Sequence, residues 1–175
     1  MNSPTVDSIP VAKTPPGGWT DWPAPILVGC SEPRPEGAPD LDGYWQTIEV
    51  KVDDQLVGDH PGLGIVTRIE QAGDRVVVVG GGVVHDMRCD GTLEHGVRDV
   101  AEFDKATEIN VAASYENGVH VLRPEGMDIE VRRWREGEHL MWDYAFFVAR
   151  MRCLGSSDRD PSDVVGLTDR PWEAP

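Results

Sequence analysis

Asp42-Gly43-Tyr44-Trp45 marks the point where a proline-rich leader ends and a series of short strands begins. Residues 1–40 hold nine of the fourteen prolines in the chain, which argues against a helix or a central strand there. From Gly43 onward, short apolar runs alternate with turn residues, the pattern typical of β-strands. Gly43 lets the backbone pass close beneath its neighbours, and Trp45 is large enough to plug one end of a barrel. We therefore expect the fold to start at this tetrapeptide.

Turn residues divide the region that follows into ten predicted strands. Asn117-Gly118 gives the strongest signal, because this dipeptide favours the tight turn of a β-hairpin, and Asp90-Gly91 gives a second. No strong turn residue precedes the last strand. The predicted strands cover residues 44–51, 63–71, 75–80, 83–89, 96–103, 108–115, 119–123, 127–134, 139–144 and 147–153.

Ten short strands joined by short turns predict an all-β fold, namely a closed antiparallel up-and-down β-barrel of about 8–10 strands. Closure removes the two exposed edges that a flat sheet of this size would have. A two-sheet sandwich would need longer crossing connections than the sequence contains. The chain thus divides into a Pro/Trp-rich N-terminal extension (residues 1–40) that is partly docked, the barrel (residues 41–154), and a C-terminal tail (residues 155–175).

The two tails are not uniform in composition. Residues 19–28 contain two tryptophans and three aliphatic side chains, so we expect this part of the extension to pack on the barrel. Residues 1–14 are richer in Pro, Ser and Thr, and we expect them to be mobile. The C-terminal tail is either disordered or docked through Val164, Leu167 and Trp172.

The Gly43-x-Trp45 opening, together with an arginine in the last predicted strand, resembles the calycin group of lipocalins and fatty-acid-binding proteins. The resemblance covers residues 41–154 and implies a barrel with an internal pocket. It also implies that an arginine of the last strand, Arg152 or Arg150, stacks on the indole of Trp45. Fatty-acid-binding proteins hold a carboxylate with an inward Arg-x-Tyr on that strand. Here Arg150-Met151-Arg152 lacks the tyrosine, so a smaller or more polar ligand fits the pattern equally well.

Composition excludes some partners. The net charge of −15 repels nucleic acids and anionic lipid headgroups, so no nucleic-acid partner is expected. No run approaches ~20 apolar residues, so no membrane span is predicted. The N-terminus lacks a basic region followed by an apolar core, and the three cysteines show no disulfide-like pattern, so a cytoplasmic location is expected. The sequence is also compatible with a homodimer.

The candidates for catalysis and ligand binding include polar residues that interrupt apolar strands. Asp143 lies between bulky neighbours and needs an arginine partner if it faces inward. The histidines His85 and His120 could act as polar anchors or, with Asp143 or Glu49, in proton transfer. The expected ligand-binding residues are Trp142, Tyr144, His85, His120, Arg133 and Arg150; the catalytic candidates are His85, His120 and Asp143.

No cofactor or metal is expected. Val76–Val79 and Gly80–Gly82 suggest a phosphate loop, but another strand pattern follows where a dinucleotide site needs a helix. His85 and Cys89 lack the paired spacing of a structural zinc site. The Gly-x-Trp-x-Gly-x-Gly opening of the haem-binding nitrobindin branch is absent, because no glycine follows Trp45 at those positions.

Three functions follow from these patterns. The leading prediction is a small-molecule binding protein that holds a largely apolar or amphipathic ligand inside the barrel. The alternative is an enzyme of small-molecule (secondary) metabolism, of isomerase or cyclase type, with its active site in the same lumen. A protein-interaction module that docks through Trp19 and Trp22 is the third. An inward histidine within hydrogen-bond reach of a carboxylate would favour the enzyme.

Overall fold

Eleven strands and one short 3₁₀ helix make up the regular structure of residues 2–164, the part of the chain that the computed structural model describes. The strands are β1 (Gly43–Val52), β2 (Gln55–Leu56), β3 (Val66–Ala72), β4 (Arg75–Gly80), β5 (Val83–Arg88), β6 (Val97–Val100), β7 (Glu108–Glu116), β8 (Val119–Pro124), β9 (Val131–Glu136), β10 (His139–Asp143) and β11 (Val148–Gly155); the helix is Pro161–Asp163.

Ten of these strands form one antiparallel sheet in the order β5-β4-β3-β1-β11-β10-β9-β8-β7-β6, with β2 attached to β1. In this order, strands that follow one another in the chain are neighbours except β5 and β6, which are the two edges, and β11 returns to pair with β1. The predicted up-and-down arrangement of ten strands is therefore confirmed. The two edge strands approach each other. Arg88 donates its backbone N–H to His95 O at 2.8 Å, and His85 Nε2 lies 2.8 Å from Val100 O. The sheet is therefore a nearly closed barrel.

The two faces of the barrel wall are covered differently. Side chains of the inner face form one apolar cluster that closes around Trp45. The outer face of β3, β4 and β5 carries a second cluster, including Val77 and Val79, that packs against the N-terminal extension. The inner cluster comprises Leu41, Trp45, Ile69, Val76, Val78, Met87, Val97, Val111, Ala113, Leu140 and Met151.

Trp45 lies near the start of β1 and is buried in the inner cluster, as the sequence predicts. Its side chain is 1% exposed, and Nε1 donates to Leu41 O at 2.8 Å. The arginine over the indole, however, is Arg135 of β9, whose guanidinium carbon lies 5.1 Å from the ring centroid. The expectation of an arginine from the last strand is wrong because Met151 faces inward, which turns Arg150 and Arg152 outward.

The N-terminal extension is docked along most of its length. Trp19 and Trp22 pack against the outer cluster, as predicted for residues 19–28. Residues 1–14 were expected to be mobile, but Val6 is buried and its carbonyl accepts from Arg75 Nη1 at 2.7 Å. The expectation fails in part because many anchors are backbone groups of the extension, such as the carbonyls of Val6, Ile9 and Pro10, which leave no trace in side-chain composition.

The mouth, which we define as the end opposite Trp45, carries the loops 53–65, 81–82, 101–107, 125–130 and 144–147. The last of these is the turn without a recognisable signal. Ala145 takes a left-handed φ of 68°, and Asp143 Oδ1 accepts its N–H at 2.9 Å.

In the C-terminal tail, Val164 is buried beside Tyr44, whereas Leu167 and Trp172 lie outside the described residues.

Candidate ligand site

Four side chains on neighbouring strands form a row on the inner wall of the barrel, which we call the inner row. Backbone pairing sets Tyr115 of β7 opposite His120 of β8. Arg133 of β9 lies opposite His120 on one side and Trp142 of β10 on the other. Directly paired residues of antiparallel strands share a face. Because Tyr115 and Trp142 pack against the inner cluster, that face is the interior.

Polar nitrogens of the inner row are buried without partners. His120 is 0% exposed and Arg133 is 8% exposed. Both ring nitrogens of His120, Nη1 of Arg133 and Nε1 of Trp142 lack a hydrogen-bond partner among the described residues. Each unpaired buried donor or acceptor costs about 1–3 kcal/mol, so native proteins keep few of them. A bound molecule that hydrogen-bonds these three neighbouring side chains would remove the cost.

The electrostatics of the row are set by burial. Burial, with a smaller effect from the Arg133 charge, lowers the pKa of His120 to about 3, so the imidazole is neutral near pH 7. Burial also lowers the pKa of Arg133 to about 10, against the opposing influence of Glu102 and Tyr144. Arg133 therefore remains a cation. A neutral imidazole offers one N–H donor and one acceptor beside that cation.

Aromatic side chains surround the cation toward the mouth. The guanidinium carbon of Arg133 lies 5.4 Å from the Trp142 ring centroid, a cation–π contact worth about 0.5–2 kcal/mol. Trp142 makes edge contacts with Tyr144 and Phe147, at 5.2 Å and 5.3 Å between centroids. His60 of the β2–β3 loop lies 4.6 Å from Phe147. A ligand at Arg133 would thus meet an apolar wall.

Tyr115 connects the row to the closed end. Its hydroxyl accepts from Gln71 Nε2 at 2.8 Å. Gln71 in turn accepts from Leu41 N at 2.7 Å. Burial raises the pKa of the Cys89 thiol to about 12, so it stays protonated and unreactive. At this end of the row the polar side chains are hydrogen-bonded to one another and to the backbone.

The structure brings together only part of the predicted site. His120, Arg133 and Trp142 are adjacent on the inner wall, and Tyr144 joins them at the mouth. His85 also faces inward, opposite Val78. Its Nε2, however, is hydrogen-bonded to the carbonyl oxygen of Val100, the last residue of β6, and so links β5 to β6. Its observed contact is structural.

The predicted placements of Arg150 and Asp143 at the ligand are wrong. Arg150 lies outside the barrel and pairs with Glu49, with Nε and Oε2 3.5 Å apart. Asp143 pairs in register with Arg132, and each is the immediate neighbour of an inward residue, Trp142 or Arg133; its carboxylate accepts the N–H of Ala145 in the following turn. Both residues share strands with inward aromatic or apolar side chains, and the alternation of the strand sends them outward.

Three residues near the row were not singled out from the sequence. Gln71 reaches Tyr115 only through the packing of distant strands, which no local pattern encodes. Glu102 lies in a loop after β6, where an acidic side chain is ordinary. For Tyr115 a signal was present, since it precedes the Asn117-Gly118 hairpin that sets it opposite His120.

Other candidate chemistries have less support in the described chain. Neither of the inward histidines, His85 and His120, is hydrogen-bonded to a carboxylate of residues 2–164. The pair His95–Asp90 does meet, Nδ1 to Oδ2 at 2.5 Å, but on an exposed loop. No cluster of three or more His, Cys, Asp or Glu side chains suited to a metal ion occurs in residues 2–164.

The inner row lies apart from four surface clefts of the protein. Four clefts on the protein surface have volumes of about 240, 540, 470 and 360 Å³, and none of the four is lined by His120, Arg133 or Trp142.

No protein-family model matches the chain, and neither a curated protein nor a solved structure matches it significantly. Residues 2–164 contain no helix with the length and hydropathy needed to cross a lipid bilayer.

Proposed function

We propose that this protein binds a small amphipathic molecule inside the barrel, with an oxyanionic group of the ligand at Arg133. The observation that carries the proposal is the set of unpaired buried nitrogens on His120, Arg133 and Trp142. Up to three N–H groups, one from each side chain, are available there for an acceptor. A calycin-like barrel would use its interior in the same way.

The energetic argument favours an anion over a neutral ligand. A hydrogen bond to a charged group contributes about 1.5–3 kcal/mol, roughly twice the value for a neutral pair. Arg133 forms no ion pair with a carboxylate of residues 2–164, so an entering oxyanion would be its first close counter-ion. The apolar part of the ligand would lie against Trp142 and the rings at the mouth, where burial adds about 25 cal/mol per Å².

The isomerase- or cyclase-type enzyme has weaker support. It needs a proton donor or acceptor that is matched to neutral pH. The pKa of His120 is about 3, far below that range, and His85 is occupied by a backbone carbonyl. The hypothesis of a protein-interaction module rested on exposed Trp19 and Trp22, and both pack on the barrel of their own chain.

The proposal is tested with anilinonaphthalene sulfonate, an apolar anion whose fluorescence rises on burial. The parent protein, Arg133→Leu and Arg150→Leu are titrated after circular dichroism has shown that each is folded. Arg150→Leu is the matched control, because it removes the same charge from the outer wall. We expect Arg133→Leu alone to weaken binding by about tenfold or more, since tenfold corresponds to about 1.4 kcal/mol. Equal affinities for all three proteins, or no binding, would overturn the proposal.

A further inference from the structure

The two edge strands of the sheet, β5 and β6, lie side by side along a contact that we call the seam. No ladder of backbone hydrogen bonds joins them among residues 2–164. One backbone bond crosses between their ends, from Arg88 N to His95 O at 2.8 Å, and His85 Nε2 lies 2.8 Å from Val100 O. By contrast, β4 and β5 are paired at every residue of both strands. The barrel wall therefore depends on other contacts to stay closed at the seam.

Residues 12–14 of the N-terminal extension, which we call the strap, supply such contacts. Thr14 Oγ1 accepts Val84 N of β5 at 3.0 Å. Thr14 N donates to Asp99 Oδ2 of β6, also at 3.0 Å. A single residue of the strap is thus hydrogen-bonded to both edge strands.

The other two residues of the strap each add a bond to one edge strand. Ala12 N donates to Asp86 Oδ2 of β5 at 2.9 Å, and Lys13 Nζ donates to Arg98 O of β6. Unpaired groups at the edge of a sheet need partners of this kind, because an open edge otherwise stays exposed. The strap therefore crosses the seam in place of the missing ladder.

Two of the surface clefts lie along the strap, and Lys13 lines both of them. The cleft of about 470 Å³ is also bordered by Met87, and the cleft of about 360 Å³ is bordered by Ile109. Met87 belongs to the inner cluster, and Ile109 packs against that cluster. An apolar molecule in either cleft would therefore lie next to side chains of the barrel interior.

We propose that the seam is a lateral entrance to the barrel and that the strap is the latch that keeps it closed. The ligand enters when Thr14 leaves Val84 and Asp99, because β5 and β6 can then separate without breaking a ladder between them. Water replaces the lost hydrogen bonds, so the net cost of release is modest. This inference rests on the proposed function and adds to it the route by which the ligand reaches the inner row.

The test compares the rates of ligand entry in two variants of the extension. Thr14→Val keeps the shape of the side chain but leaves Val84 N without its acceptor. Thr5→Val is the matched control, because it makes the same substitution at an exposed position of the extension. Both variants and the parent are first shown to be folded by circular dichroism.

Stopped-flow fluorescence with anilinonaphthalene sulfonate then gives the association and dissociation rates. The signal analysed is the part that Arg133→Leu removes, so that only binding at the inner row is counted. We expect both rates to be about fivefold higher in Thr14→Val than in Thr5→Val, which corresponds to about 1 kcal/mol. The dissociation constant should be the same in both variants, because the closed barrel that holds the probe is unchanged.

The mouth is the competing entrance, and the same substitution tests it. Thr107 Oγ1 donates to Asp104 Oδ2 within the loop 101–107, so Thr107→Val removes a bond that orders this loop. Faster binding in Thr107→Val with unchanged rates in Thr14→Val would place the entrance at the mouth and overturn the proposal. Equal rates in all variants would overturn it as well.

Hydrogen exchange measured by mass spectrometry tests the latch without any ligand. Thr14→Val should accelerate exchange in peptides that cover residues 83–88 and should leave residues 131–136 unchanged, because only the seam opens locally. Exchange at residues 83–88 that matches the Thr5→Val control contradicts the latch.

The outcomes distinguish this inference from the proposed function. If binding of the probe depends on Arg133 but Thr14→Val leaves its rates unchanged, only the entrance is wrong. If Arg133→Leu binds the probe as the parent does, the proposed function is wrong, and the entrance is wrong with it.

Discussion

Buried arginines occur on both faces of this barrel wall, and they differ in their hydrogen-bond partners. On the outer face, Arg75 makes two hydrogen bonds to Asp86, at 2.8 and 2.6 Å, and further bonds to backbone carbonyls of the extension. On the inner face, Arg133 is almost as deeply buried, but its Nη1 has no hydrogen-bond partner among residues 2–164. The proposed site therefore rests on the unpaired Nη1 of Arg133 together with the unpaired nitrogens of His120 and Trp142, and not on the burial of a charge alone.

The outer arrangement is a structural clamp. Asp86 Oδ2 also accepts Ala12 N at 2.9 Å, so the ion pair joins β4, β5 and the extension. Arg68 and Glu70 repeat the arrangement on β3: Arg68 Nη1 donates to Pro23 O at 2.7 Å, and Glu70 Oε1 accepts Leu27 N at 2.8 Å. Their own contact, Nε to Oε2 at 3.3 Å, is an ion pair without hydrogen-bond geometry.

The largest effect is expected from breaking the outer clamp. Arg75→Met leaves Asp86 buried without its cation and should lower the free energy of unfolding by about 3–5 kcal/mol. Urea denaturation measures it. Arg132→Met, which removes a half-exposed arginine, is the control and should cost less than about 1 kcal/mol. A small loss for Arg75→Met would mean that the clamp is not what holds residues 6–12.

The second effect concerns the inner histidine and depends on pH. The pKa of His120 is 6.5 when unperturbed and about 3 in the folded protein, so between these values the unfolded chain binds more protons. Stability is then fully present above pH 6.5 and falls as the pH drops, by about 1.4 kcal/mol per unit. His120→Leu should remove this slope between pH 6 and pH 4 (~2–3 kcal/mol), as measured by urea denaturation at each pH.

The control for that experiment is His139→Leu, because His139 precedes the inward Leu140 and so lies on the outer side of β10. It should keep the slope of the parent. Parallel slopes for all three proteins would show that His120 accepts a proton without a penalty, and the inner row would then be open to water.

The third effect should have the opposite sign to the first. Arg133→Leu removes a buried charge that has no ion-pair partner in the described chain, so stability should stay the same or rise by ~1–2 kcal/mol. The lost contact with Trp142 offsets part of the gain. Thermal and urea denaturation provide the measurement. A loss of several kcal/mol would show that Arg133 is a structural cation like Arg75, and the contrast between the faces would disappear.

The smallest effect is expected for a charge that belongs to neither region. Arg150 and Glu49 form a pair with side chains 36% and 33% exposed. Pairs of this kind are worth about 0–1 kcal/mol, so Arg150→Met should change stability by no more than that in urea denaturation. A larger change would mean that the outer wall near β1 and β11 is coupled to the barrel interior.

Much of the fold was predictable because its signals are local. Glycine-containing turns and alternating strands gave ten strands whose order the structure reproduces. The turn before β11 had no signal because Ala145 occupies a left-handed position that glycine or asparagine usually fills. The docking of residues 2–14 was also hidden, since Arg75 and Asp86 bind backbone groups that every sequence has.

The site was predictable only in part, because strand register decides whether a side chain points into the barrel or away from it. His120, Arg133 and Trp142 could be named as candidates from their residue types. Their adjacency follows from the pairing of β8, β9 and β10, which distant contacts determine. Arg150 and Arg133 look alike in sequence, and only the phase of each strand separates an outward arginine from an inward one.

The pairing of β1 with β11 has a consequence for how the molecule assembles. The first and last strands of the barrel lie side by side, so the barrel cannot close before the final strand exists. Contacts between such distant segments form slowly. The β3–β4–β5 meander, by contrast, is built from neighbours in the chain and can form earlier. During synthesis the extension can therefore find its platform on these strands while β8, β9 and β10 are still being made, and the interior is completed last.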